Sequence, residues 1–218
     1  MIGIIAALPR EVAGLTRGMK PEPRFTAEGV FAFRRSSSVI VCAGMSAERA
    51  VLAVRAALTC GVDELLVSAG LAGSCDPAVT VGTVIEAGQI IDARSGERFA
   101  ECEGCGAVLV TSPSIASVAE KRRLHQTYGA SVVDMEAATV ARLAQANGLR
   151  FRAIKAVSDA HDFELESLAR FATPQGQFRT GAFALYTALH PQSWGSALQL
   201  GKGSTRALSA LREALENL

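Results

Sequence analysis

Three acidic side chains in this 218-residue sequence each follow an apolar run: Glu11 after residues 2–8, Glu136 after Val132-Val133-Asp134, and Asp159 after residues 151–157. Carboxylates at such places suit general acid–base work, where a positioned proton donor or acceptor contributes about 10²–10⁴ in rate. Each also has a plain structural reading. Glu11 and Glu136 stand where helices begin, and a helix dipole favours an acid in its first turn. Asp159, in the pair Ser158-Asp159, has the chemistry of a turn cap. Spacing alone does not show that the three positions meet.

The elements that must position these groups follow from the hydrophobic pattern. Residues 2–8 are continuously apolar rather than alternating, the pattern of a strand covered on both faces. Residues 39–42, 65–68 and 151–157 repeat it, and residues 81–91 read as further strand. Helices are expected over 11–17, 47–58, 117–128 and 136–147, with Gly18, Gly61 and Gly148 as stops. Hairpins are expected over 25–35, turning near Glu28-Gly29, and over 99–110, around Cys102 and Cys105. The chain from 179 onward reads as helical with a loop at 191–195. In it Ser204 is an N-cap, and Leu208, Leu211 and Leu215 form a stripe that docks on the core. Buried strands separated by helices predict an α/β domain with a mostly parallel or mixed sheet. Ligands of such sheets bind beyond the carboxyl ends of the strands, where Glu11, Glu136 and Asp159 stand.

Composition narrows the function. The length fits one domain spanning residues 1–218. A net charge of +1 leaves no broad basic field for nucleic acid. Cys42, Cys60, Cys75, Cys102 and Cys105 are odd in number, which argues for free thiols in a reducing, cytoplasmic setting. Cys102 and Cys105 lack the second ligand pair that a structural zinc needs, so no metal is expected. The N-terminus has no basic start of a signal peptide, and no run reaches the roughly 18 apolar residues of a membrane span. No Gly-x-Gly-x-x-Gly follows the first strand and no Walker motif is present, which weighs against a dinucleotide-binding module.

Five segments, in order, resemble those of the nucleoside phosphorylase and nucleosidase superfamily. They are Ile2-Gly3-Ile4-Ile5-Ala6-Ala7 with Glu11-Val12; Ser68-Ala69-Gly70-Leu71-Ala72-Gly73; Asp76-Pro77 before Val81-Gly82-Thr83-Val84; Val133-Asp134-Met135-Glu136-Ala137-Ala138; and Lys155-Ala156-Val157-Ser158-Asp159. The resemblance is strongest to the 5′-methylthioadenosine/S-adenosylhomocysteine nucleosidases. It implies a three-layer α/β/α sandwich with a mixed central sheet, and cleavage of the N-glycosidic bond of a purine nucleoside. It also implies roles. Glu11 positions and activates water, and Glu136 grips the ribose 2′- and 3′-hydroxyls. Asp159 delivers a proton to purine N7, oriented by Ser158, and Met135 packs under the sugar. Gly70 and Leu71 belong to the segment beside ribose and base, where Leu71 replaces a frequent serine.

The implied chemistry suits these residue types. An adenine anion is a poor leaving group, so an acid must protonate it as the bond stretches, while the ribosyl fragment becomes oxocarbenium-like. Asp159 is therefore expected to be protonated at work, its pKa raised by burial. Gly44-Met45-Ser46 departs from the family pattern, and the Ser46 hydroxyl reads either as a phosphate contact or as a substitute for glycine. Residues 114–125 and 183–211 look more like the hopanoid-associated branch, which acts on adenosylhopane. The acceptor stays open between water and inorganic phosphate. Arg10, Arg49 and Arg94 are candidates to hold a phosphate, whereas Glu11 favours water. The resemblance implies no cofactor, and it implies a homo-oligomer. A silent nucleoside-binding protein on the same fold is the competing class.

Overall fold

The computed structural model describes residues 1–100, 106–164 and 194–218. Strand β1 (Ile2–Ala6) lies between β3 (Ser38–Cys42) and β4 (Leu65–Ser74), parallel to both. β2 (Phe31–Arg34) extends the β3 edge antiparallel. On the other side β9 (Arg150–Asp159) runs parallel to β4. β5 (Val84–Asp92) is antiparallel to β9 and parallel to β7 (Ala107–Thr111). β7 pairs with β8 (Val132–Asp134), which returns antiparallel to the far end of β4. Strands β4, β9, β5, β7 and β8 thus close into a ring, and β6 (Arg98–Ala100) pairs with β5 from outside it.

The unbroken apolar strands are explained by what covers them. Ile5, Val39, Val41 and Leu66 face helices α3 (Ala47–Thr59) and α5 (Ala137–Ala146). Their neighbours Ile4, Ala6, Ile40, Cys42, Leu65, Val67 and Ala69 face the opposite layer, where Ala207, Leu211 and Leu215 of the C-terminal helix α6 (Trp194–Glu216) pack. A sheet coated on both sides must be apolar at every position, and the result is the expected mixed α/β sandwich. Short helices α1 (Ala13–Thr16) and α2 (Pro23–Thr26) link β1 to β2, and α4 (Val118–Tyr128) packs through Leu124 against Ile91, Val110 and Val133. Cys42, Cys60 and Cys75 are free and buried. Among the described residues no helix is long and apolar enough to cross a membrane.

Three local expectations are corrected. Residues 25–35 do not form a hairpin. Pro23 starts α2, its fixed φ suiting a first helical position, and the reversal comes later, where Arg35 N–H donates to Ser38 O at 2.8 Å. β6 and β7 flank opposite sides of β5, so they are not a hairpin either; Cys102 and Cys105 lie outside the described residues. Finally, α6 begins at Trp194 and runs unbroken through Gly195 and Ser204, which is therefore interior to the helix and not its N-cap, while residues 191–193 of the expected loop lie outside the described residues. Glycine costs about 1 kcal/mol inside a helix, yet Gly203 is required: a Cβ there would stand 2.6 Å from Ser158 O. The missing side chain lets α6 lie directly against the end of β9.

Candidate active site

The carboxyl ends of β1, β4, β8 and β9 surround a cavity of about 450 Å³, closed on one side by α6. Glu11, Glu136 and Asp159 all line it, as do Leu71, Met135 and Ser158. Each acid is brought there by a different local device.

Glu11 ends a 3-10 turn (Pro9–Glu11) that follows β1 and is 6% exposed. Its Oε2 accepts from Leu8 N–H at 2.8 Å and its Oε1 from Leu71 N–H at 3.0 Å. Gly70 makes room for it: at φ +149° it has no Cβ, and one placed there would sit 3.0 Å from Glu11 Oε1.

Glu136 occupies the N-cap position of α5 without capping it. Asp134 Oδ2 accepts from Ala137 N–H at 2.9 Å and Thr111 Oγ1 accepts from Ala138 N–H at 2.9 Å, so these two groups satisfy the first orphan donors of the helix. Glu136 is left free to turn into the cavity, where Oε1 accepts from Ser46 N–H at 2.9 Å. Ser46 itself has φ +119°, a strained conformation for a residue with a side chain, of the kind that persists where the surrounding structure over-determines it. Its hydroxyl accepts from Arg49 N–H and caps α3.

Asp159, 5% exposed, ends β9 just after a bulge. Val157 pairs with Ala72 and Asp159 with Gly73, so Ser158 is the extra residue that re-aims its neighbour. The Ser158 hydroxyl donates to Asp159 Oδ1 at 2.6 Å. Asp159 also has a buried partner that the sequence did not suggest. Lys121 Nζ lies 2.5 Å from Asp159 Oδ2 with both side chains buried, which is the geometry of an ammonium–carboxylate pair.

A second buried pair lies beneath the cavity. Lys155 Nζ is 2.8 Å from Asp134 Oδ2 and donates to Ser68 Oγ at 3.0 Å, while Thr111 Oγ1 donates to Asp134 Oδ1 at 2.7 Å. Burial opposes the Lys155 charge, but Asp134, Glu136 and Glu11 outweigh it and hold the ammonium above its ordinary range. Burial, then the negative Asp134, pushes the Glu136 carboxyl up to about 7, against the pull of Lys155 and the Ser46 N–H.

This sets a pH signature. The folded chain holds a proton on Glu136 more tightly than the unfolded chain, whose ordinary value is 4.5. The stability that Glu136 contributes is therefore full below about 4.5 and is lost as pH rises through about 7. Glu136→Gln, which mimics the protonated acid, is expected to leave Tm nearly unchanged at pH 4.5 and to raise it at pH 8. Equal Tm differences at both pH values would refute the assignment.

Of the arginines considered for phosphate, Arg10 lines the cavity. The Arg49 side chain is spent on the backbone carbonyls of Ala43, Glu28 and Gly29. Arg94 is exposed beside the turn between β5 and β6. Sequence reasoning missed Lys121. Its signal was weak but present: Val118, Lys121 and Leu124 fall at helical spacing on one face of α4, so the lysine shares the inward side with the buried leucine.

Comparisons with known proteins agree with this architecture. The description of the phosphorylase superfamily matches residues 93–184. A search of curated proteins finds no match. Among solved structures, futalosine hydrolase of Helicobacter pylori superposes with a TM-score of 0.69 at 17% identity, covering 100% of this chain and 97% of that one. A 5′-methylthioadenosine nucleosidase of Arabidopsis thaliana gives 0.68 at 15% identity, with 99% and 93% covered. The 5′-methylthioadenosine/S-adenosylhomocysteine nucleosidase of Neisseria meningitidis, in complex with methylthio-immucillin-A, gives 0.66 at 16% identity, with 100% and 99% covered. These likenesses establish the fold: a mixed α/β architecture similar to that of the nucleoside phosphorylases and nucleosidases.

Proposed function

We propose that this chain hydrolyses the N-glycosidic bond of a purine nucleoside that carries an apolar 5′ substituent. The observation that carries the reading is the convergence of Glu11, Glu136 and Asp159 on one cavity, from three separate strand ends. In this reading the Glu136 carboxylate accepts hydrogen bonds from the ribose 2′- and 3′-hydroxyls, which fixes the ring and places negative charge near a developing oxocarbenium ion. Glu11, held by two backbone N–H groups, takes a proton from the attacking water. Asp159, oriented by Ser158, faces the departing base, with Met135 under the sugar.

Water is favoured over phosphate as acceptor. Three carboxylates face the cavity, and Arg10 is the one lining side chain of the three arginines considered. An entering anion would meet the Glu11 carboxylate, which is held by backbone N–H groups and has no lysine partner among the described ion pairs. The apolar 5′ group is suggested by Met45, Leu71, Ile115, Leu200 and Leu208 in the cavity wall. The methylthio group named for the neighbouring nucleosidases is the small end of that range, and adenosylhopane, suggested by residues 114–125 and 183–211, is the large end. We read the chain further as a cytoplasmic homo-oligomer that needs no cofactor, with inorganic phosphate as the alternative co-substrate.

The test is to incubate the protein with 5′-methylthioadenosine and with adenosines bearing progressively longer 5′ alkyl chains, with and without phosphate, and to follow free adenine. Adenine release without phosphate, fastest for an apolar 5′ group, is expected. Release that requires phosphate would convert the reading to phosphorolysis. No base from any of these nucleosides would end it.

A further inference from the structure

Lys121 is placed as no surface lysine is. It is 1% exposed, and its Nζ donates to Asp159 Oδ2 at 2.5 Å, to Ala160 O at 2.9 Å and to Phe163 O at 3.1 Å. An ammonium has three protons, and all three are engaged. The other oxygen of Asp159 accepts the Ser158 hydroxyl at 2.6 Å. Three acceptors around Nζ and a hydroxyl on the other carboxylate oxygen are the surroundings that suit an ammonium–carboxylate pair. The fold reserves space for it: a Cβ on Gly73 would stand 2.9 Å from Asp159 Oδ2 and 3.1 Å from Lys121 Cε. A departing purine nonetheless needs a proton, and a carboxylate in this state has none to give.

We propose that Lys121 supplies that proton through Asp159. As the glycosidic bond stretches, Nζ passes a proton to Oδ2, and the carboxyl group passes one to a ring nitrogen of the leaving base. The inference rests on the nucleosidase reading above. The C1′–N bond breaks with its electron pair leaving on the base, which departs neutral after gaining one proton. Asp159 ends as a carboxylate and Lys121 as a neutral amine. The attacking water forms the new C1′–O bond and gives one proton to Glu11. That proton returns to Lys121 through solvent once the base has left, restoring the starting charges. Lysine suits this role because a buried ammonium changes its protonation readily, whereas a guanidinium does not deprotonate in proteins.

That difference makes the test. Lys121→Arg keeps a positive charge beside Asp159 and removes the transferable proton. The wild type and the variant are assayed on two ribosides with the same 5′ group, one carrying adenine and one carrying 4-nitrophenolate, which leaves without protonation. The expected result is a fall in kcat of about 10²-fold on the adenine riboside, with the nitrophenyl riboside cleaved at close to the wild-type rate. Equal losses on the two substrates would reduce Lys121 to a structural element, and full turnover of the adenine riboside by Lys121→Arg would overturn the relay. Lys121→Met, which also removes the charge, is expected to slow both substrates. Failure of the wild type to release adenine is a different outcome, which removes the nucleosidase reading itself.

Discussion

Glu11→Gln is expected to lower the single-turnover rate of base release by about 10²–10⁴-fold, the usual contribution of a positioned general base. The substitution also acts on the fold, and the two effects can be separated. Both carboxylate oxygens of Glu11 accept a backbone N–H, from Leu8 and from Leu71. An amide offers one acceptor and one donor, so one of those N–H groups would face an NH₂. Leaving a buried donor unsatisfied costs about 1–3 kcal/mol. Thermal unfolding should therefore register a moderate loss of Tm, while rapid-quench measurement at saturating nucleoside registers a far larger loss of rate. A folded Glu11→Gln protein that releases base at the wild-type rate would leave Glu11 with a purely architectural role.

Lys155→Met is the substitution expected to cost most in stability. Lys155 and Asp134 are buried at 2% and 1% side-chain exposure. Removing one member of such a pair strands the other charge, at a cost of about 3–5 kcal/mol. Asp134 is also the cap that accepts from Ala137 N–H and Thr111 Oγ1, so the stranded charge sits at the start of α5, beside Glu136. Urea titration should show a large drop in midpoint. Arg212→Ala provides the contrast: its pairing with Glu216 is exposed, and such contacts contribute only about 0–1 kcal/mol. Comparable midpoints for the two variants would contradict the account of the Asp134–Lys155 pair. Lys155→Met with Asp134→Asn should recover part of the loss, because no buried charge then lacks its partner.

Much of this architecture was legible in the chain. The apolar runs that became β1, β3, β4 and β9 gave the two-sided burial directly, since no other environment tolerates them. α3, α4 and α5 followed from side-chain spacing and from the stops at Gly61 and Gly148, and Ser117, where α4 was expected to begin, is its N-cap. The region from 25 to 35 was misread because Phe25, Val30, Phe31 and Phe33 carry strand character in sequence, while Pro23 sets a helical turn ahead of them. Ser204 was misread as a helix start because its hydroxyl is that of an N-cap residue. The Gly203 beside it has its reason in the close approach to Ser158, which only tertiary structure supplies. The convergence of Glu11, Glu136 and Asp159 was inferred by resemblance and not by pattern. The two lysines that neutralise the acidic floor were illegible as a pair, because Lys121 meets Asp159 across 38 positions and Lys155 meets Asp134 through the turn of a helix cap and a separate strand.

The closed circuit of β4, β9, β5, β7 and β8 constrains how this pocket can change. Asp134 ends β8, in register with Thr111 of β7 and just after the Val132 and Val133 that pair with β4, and Asp159 ends β9 in register with Gly73 of β4. Widening the acidic floor would mean breaking several ladder bonds together, a concerted rupture rather than a local adjustment. The opposite wall is a single helix, seated through a glycine and a few aliphatic contacts. A change in cavity width is thus met more easily by a shift of α6 than by the strand ends that carry Asp134 and Asp159.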